Sequence, residues 1–406
     1  MITLTLGVIL TLACISYLLL VGNQKSTVTR SQTWNAALTM AEAGVEEAMA
    51  QINASPGDFS ANGWGNNFGP VTRTLIGGSY SVQIVGYTNP IIYSTGYATL
   101  PITSEVISRS VRVDTGQLQS VFNVAFAAVY NIDFNGNGVA SDSYNSHDNN
   151  KSNNGLYDPS KASTNGNVAS VSGLVDIGGH TINGSLYLGP TAIYNGGGII
   201  NGTIYRDFNV SFDTVTLPAN ANNWTIAAPT MVTTLLKGKT NTAATYNFTN
   251  SGNYIVPNGA YPIIVGSGAT VTLNITATTF NPSSLQIQGG INNSGTAKIY
   301  FNGPDSATIH GNDAIDASLR PENLQYFGLP SLEQITFDGN STFVGVIYAP
   351  QATFTLNGGG NNIGFIGSSV TKSMRMNGRY NFHYDESLAG VSISRGYIAT
   401  AWQEIY

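Results

Sequence analysis

Three short stretches of this chain place ligand atoms or paired acids close together. Asp133-Phe-Asn135-Gly-Asn137-Gly138 has the D-x-N-x-N-G opening of a calcium loop. Asx side chains at alternate positions can aim their oxygens at one hard cation. The bidentate Glu expected at the twelfth position is Tyr144, so Asp142 has to substitute. Asn-Gly pairs recur along the chain, and the plainer reading is a corner between strands, with calcium as the alternative. No other cofactor is expected.

The second stretch, Asn381-Phe382-His383-Tyr384-Asp385-Glu386, collects a histidine and two carboxylates. On a strand, alternation sets His383 and Asp385 on one face and Tyr384 and Glu386 on the other. Catalysis or metal binding needs partners brought in by folding. His147, His180 and His310 are remote in sequence, so the reading is a structural role in closing the last coil. The third stretch holds Asp313 and Asp316 in GNDAIDASLRPEN. Glycosidases use two carboxylates ~5 or ~6.5–9.5 Å apart. The surroundings here are mostly Asn, Gly, Thr and Ser, without the extra acids and bases of polysaccharide-cleaving enzymes. No catalytic residue is assigned, and a non-enzymatic protein is expected. Tyr187, Tyr205, Tyr300 and Tyr348 offer a row for sugar stacking, or, more plainly, rings at equivalent positions laddering on one another.

The elements that carry these residues show repetition. GSLYLGPTAIYNGGG (184–198) and GVIYAPQATFTLNGGG (345–360) share the frame Gly-x-[Leu/Ile]-Tyr…Asn-Gly-Gly-Gly. NGTIY at 201 repeats NGSLY at 183, and Asn357-Gly358 returns as Asn377-Gly378. Periods near 20 with short alternating strands and Asn-Gly corners signal a solenoid. In ATVTLNITATTF (269–280), Val271, Leu273 and Ile275 share one face. The expectation over 121–390 is a right-handed parallel β-helix-like solenoid with loop insertions. A β-sandwich is the alternative, because turns at 8–12-residue spacing fit it too.

Composition agrees with a mainly β chain. Of 406 residues only 9% are charged and 46 are Gly, where about 25% charged is usual. Stacked coils that ladder like on like need few charges. The net charge is -6, and the 16 basic residues are scattered, so nucleic acid is not an expected partner. The one cysteine, Cys14, excludes a disulfide framework or a CxxC site.

Residues 2–22, ITLTLGVILTLACISYLLLVG, are uncharged and long enough to span ~30 Å of hydrocarbon. They exceed the apolar core of a secretory signal and lack its basic start and cleavage site. In WNAALTMAEAGVEEAMAQI (34–52), Trp34, Leu38, Ala41, Val45, Ala48 and Ile52 recur at helical spacing. Span and stripe predict one continuous helix over 1–53. YSVQIVGY, IIYSTGYATL and VISRSVRVD then predict a small antiparallel β head over 54–120 that covers the stripe. The overall class is α+β followed by mainly β, with residues 391–406 as a C-terminal tail.

The pattern RSQxWNxAxxxAEAGVEEAMAQIN, Arg30 to Asn53, resembles PilX-type minor pilins and related pseudopilins. NLQYFGLPS, FVGVIYAPQATFTLNGGG and MNGRYNFHYDESL resemble a carboxy-terminal domain of unassigned function that often follows such N-termini. The resemblance implies a subunit of a type IV pilus or type II secretion-like filament, held in the bacterial inner membrane before assembly. Its implied partners are other pilin subunits, through the N-terminal helix. Its implied destination is a cell-surface filament, where the solenoid serves adhesion to a polysaccharide, host or solid surface. Two features depart from the family: no basic leader precedes the span, and Thr5 stands where most mature major pilins have Glu. Lys25 and Arg30 follow the span, which by the positive-inside rule puts the C-terminal part in the cytoplasm. A start codon upstream, encoding a basic leader, accounts for the missing leader and for the order of charges. The alternative function is a membrane-anchored β-helix protein that binds or degrades polysaccharide.

Overall fold

The computed structural model describes the chain except residues 1, 55–58, 61–62, 66–67, 87–89, 102, 118–119, 137–139, 237–238, 311–313, 317–318, 340–341, 391–396 and 406. The chain forms two compact units, 1–119 together with 393–406, and 120–392.

In the first unit, helix α1 runs unbroken over Ile2–Ala54, 53 residues, or about 80 Å. It contains no proline, and Gly7, Gly22 and Gly44 do not end it, each costing only about 1 kcal/mol relative to Ala. From Ile2 to Val28 its described side chains are exposed, although most of those before Gly22 are apolar. This part is long and apolar enough to cross a membrane. From Thr33 onward one face is buried, through Ala37, Ala41, Gly44, Ala48, Gln51 and Ile52.

That face packs on β2 (Gly78–Val85), β3 (Ile91–Thr99) and β4 (Val106–Gln117). With β1 (Val71–Leu75) they make an antiparallel sheet in the order β1-β2-β3-β4. Val82, Ile84, Ile92 and Val113 point into the core beneath the helix. Helix and sheet meet on small residues. A Cβ on Gly96 would collide with the Ala37 carbonyl and the Ala41 amide, and one on Gly44 with Ser94 and the Tyr80 ring. This close approach turns the helix away from the expected stripe. Ala41, Ala48 and Ile52 are buried as expected, Leu38 and Val45 are half-buried, and Trp34 stays 42% exposed. The Trp34 ring instead lies 5.0 Å from the Arg109 guanidinium.

The tail expected over 391–406 is a strand for most of its length. Tyr397–Ile405 pairs antiparallel with β4, as the fifth strand of the sheet. The Asn53 amide donates to the Tyr397 carbonyl at 3.2 Å, and Arg109 on β4 makes a two-point ion pair with Glu404. Pairing with the open edge of β4 satisfies backbone groups that a tail would leave to water.

In the second unit the named strands pair in parallel, apart from the hairpin Thr230–Leu236/Lys239–Phe248. A sandwich would be antiparallel. One ladder carries the buried row Leu273, Ile299, Tyr326, Ile347, Ser369, Phe126, Val168 and Leu186 in register. A second carries Ile335, Phe354, Met374, Ile132 and Val175. The order along the ladders differs from the order in sequence. Strand Gly359–Met376 pairs with Phe126–Ala128 and Ile132–Phe134, so the last coils of the unit dock on its first. The first strands of the unit therefore lie beside its last ones, and Tyr384 donates its hydroxyl to the Phe122 carbonyl at 2.8 Å. The segment 206–224 forms no strand, and it accepts a hydrogen bond from Tyr348 at Asp213 and one from Asn274 at Ala221.

Candidate functional site

Three adjacent parallel strands of the second unit build one concave patch. Arg379–Asp385 lies between Gly359–Met376 and Ala140–Tyr144. On Arg379–Asp385, Tyr380, Phe382 and Tyr384 point inward and are buried, and the Phe382 ring sits 4.8 Å from that of Phe126. Alternation turns Asn381 and His383 outward. Register then sets two outward rows across the strands: Gly364, Asn381, Ala140, and Ile366, His383, Asp142.

His383 Nδ1 is 2.6 Å from Asp142 Oδ1, and the Tyr157 hydroxyl donates to Asp142 Oδ2 at 2.7 Å. The Tyr157 ring stacks on the imidazole, with centroids 3.7 Å apart and planes at 24°. Burial, and then the bond to Asp142, pushes the Tyr157 phenol well above its usual range. An ionised carboxylate only accepts, so the Nδ1 facing Asp142 carries a proton, and the neutral form of the ring presents Nε2 as an acceptor. A cleft of about 390 Å³ opens beside this group, bounded also by Pro159, Thr342 and Gly364.

Tyr157 and Pro159 reach the cleft on the loop 145–165, which is held by its own Asx side chains. Asn145, Asp148 and Asp158 each accept the amide two residues on, and Lys161 donates to the carbonyls of Asn149 and Ser152. The loop is clasped to the residues after His383. Glu386 accepts from Ser143, Lys151 and Asn165 at 2.9, 2.7 and 2.8 Å. Desolvation opposes its charge, but these donors outweigh it and hold the carboxyl below the ordinary range. Asp385 is fully buried and accepts the amides of Ser146 and Ser387 on Oδ1, while Oδ2 has no hydrogen-bond partner. Burial pushes its carboxyl up. His383 and Asp385 thus do not share an environment as alternation suggests, because the strand ends at Asp385 and a 3₁₀ turn over Glu386–Gly390 folds beside it.

The remaining sequence candidates separate. Asp133 faces Arg375 at 3.5 Å, Asn135 is exposed, Asn137 lies outside the described residues, and Asp142 belongs to the His383 group. Among the described residues no three His, Cys, Asp or Glu side chains are grouped to hold a metal. Asp313 also lies outside them, as does the side chain of Asp316. Of the other histidines, His147 pairs with Glu322 at 3.0 Å and His310 with Asp338 at 2.5 Å. Tyr187, Tyr205, Tyr300 and Tyr348 fall in one register row, completed by Phe327, Val370, Ala127 and Ala169. Tyr187 stacks on Tyr205 at 4.9 Å, and Tyr348 is buried. Sequence reasoning missed Tyr157, and only the tract of Asx residues around it marked the loop as ordered by its own side chains.

Residues 264–391, less than half of the chain, match a family model described as a domain of unknown function, DUF7305. No curated protein matches. Among solved structures, the crystal structure of the competence-associated pilin ComZ from Thermus thermophilus is similar, at 13% identity and a TM-score of 0.32, over 92% of this chain and 97% of that one.

Proposed function

We propose that this protein is a non-enzymatic, pilin-like subunit of a surface filament of the type IV pilus or type II secretion kind. In this reading α1 anchors it in the inner membrane before assembly and packs against other subunits afterwards. One observation carries the reading: a single helix whose first half exposes apolar side chains on every side and whose second half is covered by an antiparallel sheet. A helix apolar all round needs a membrane or other helices around it. Continuity with the packed half lets the same subunit exchange lipid for neighbouring helices without refolding. The motif from Arg30 to Asn53 supports the same conclusion. The second unit is read as a parallel β-helix-like solenoid, displayed for adhesion or surface contact.

The test is recovery of the protein from sheared surface filaments, with its N-terminus sequenced. The proposal expects incorporation into fibres, lost when Leu10→Lys or Leu18→Lys puts a charge in the exposed apolar half. Recovery from membranes alone, or fibres formed equally well by the lysine variants, would overturn it.

A further inference from the structure

The cleft beside His383 lies in the second unit, apart from the helix on which the filament reading rests, and its chemistry is specific. Its volume of about 390 Å³ falls within the ~300–1,000 Å³ of small-ligand pockets. The hollow exists because Gly364 and Ala140 flank Asn381 in the outward row. A Cβ on Gly364 would already press on His383 Cδ2 at 3.1 Å and Nε2 at 3.4 Å.

Besides Asp142 and the Tyr157 hydroxyl, which pair with each other, the described polar residues bordering the hollow are His383, Asn381 and Thr342. No described residue bonds His383 Nε2, whose ring is oriented by Asp142 on one side and Tyr157 on its face. Among the described residues neither Lys nor Arg lines the cleft, and both oxygens of Asp142 already accept hydrogen bonds. Among these residues an anion therefore finds no permanent countercharge, and a cation finds no free carboxylate oxygen. Tyr157, Pro159 and Ile366 supply apolar wall. An acceptor nitrogen, an amide and a hydroxyl set against apolar wall match a ligand with hydroxyls on its rim and C–H groups on its face.

We propose that this cleft binds a neutral saccharide unit, with a sugar hydroxyl donating to His383 Nε2 and Asn381 and Thr342 pairing with its neighbours. The assignment is independent of the filament reading, since it concerns the second unit alone. Free sugars and polysaccharide chains share this chemistry, and the length of the probe tells them apart.

The experiment is saturation-transfer NMR on the full chain in detergent, with neutral methyl hexosides and β-1,4-linked tetrasaccharides, and glucuronic acid as the anionic comparison. Neutral probes are expected to bind. Binding of the methyl hexosides identifies a single sugar unit as sufficient, and binding of the tetrasaccharides alone identifies a polymer as the source. Asn381→Ala, at an outward and exposed position, should weaken binding roughly five- to tenfold, the value of one hydrogen bond, without moving the melting temperature. Gly364→Leu, which fills the hollow, should abolish it. Absence of neutral-sugar binding, preference for glucuronic acid, or binding unchanged by Asn381→Ala would overturn the assignment.

Discussion

Asp385 and Glu386 are neighbours in sequence whose carboxyls are shifted in opposite directions, and the shifts predict opposite responses to pH. Asp385 is raised above 3.8 by burial. Its protonated form is favoured by folding, so its contribution is largest below 3.8 and is lost as pH rises through the folded value. Glu386 is held below 4.5 by Lys151, Asn165 and Ser143 despite desolvation. Its contribution is present above 4.5 and is lost as pH falls through the folded value. Asp385→Asn should therefore raise the melting temperature at pH 7 and give no gain below about pH 3.8, since the amide oxygen still accepts from Ser146 and Ser387. Glu386→Gln should lower stability at pH 7 by on the order of 1 kcal/mol, the loss of charge-assisted bonds, and the deficit should vanish in acid. Denaturation of both variants from pH 3 to 8 checks the pair. Equal pH profiles for the two would refute the opposite shifts.

At the scale of elements, the helix and sheet of the first unit meet through glycine. Gly96→Ala drives a methyl into backbone atoms of α1, which cannot yield as a side chain can. It should cost roughly 1–3 kcal/mol or more. Gly44→Ala meets the Ser94 hydroxyl and the Tyr80 ring, which can rotate, and it also gains helix propensity, so it should cost less. Thermal melts that rank Gly44→Ala as the worse variant would contradict this contact. Ending the chain before Tyr397 leaves β4 with an unpaired edge, and aggregation through that edge is expected, measured by light scattering. The apolar period of α1 was legible in sequence and its burial was not. Hydrophobic spacing marked Trp34 and Leu38, but small size at Ala37 and Gly44 decided which face touches the sheet.

At the scale of the molecule, the second unit is inserted between two strands of the first, β4 and Tyr397–Ile405. Within the second unit the last coils dock on the first, so that strands near its two sequence ends share one stretch of the ladder. Two compact units predict two unfolding transitions by calorimetry. Gly96→Ala should lower one and Glu386→Gln the other. A single transition moved equally by both variants would show one cooperative unit.

The sequence by itself determined the continuous helix, the apolar span, the strand-rich remainder and the pairing of equivalent positions such as Tyr187 and Tyr205, 18 residues apart. Each of these follows from local periodicity, and a repeat that recurs near every 20 residues places equivalent side chains in register. Only the tertiary structure decided that Gly359–Met376 returns to Phe126–Ala128, that the last strand completes the first sheet, and that Tyr157 and Asp142 meet His383 across more than half of the second unit. The energy of a parallel rung is nearly the same for many partners. Which rungs meet is settled by the closure of the whole chain, and no window of residues carries that information.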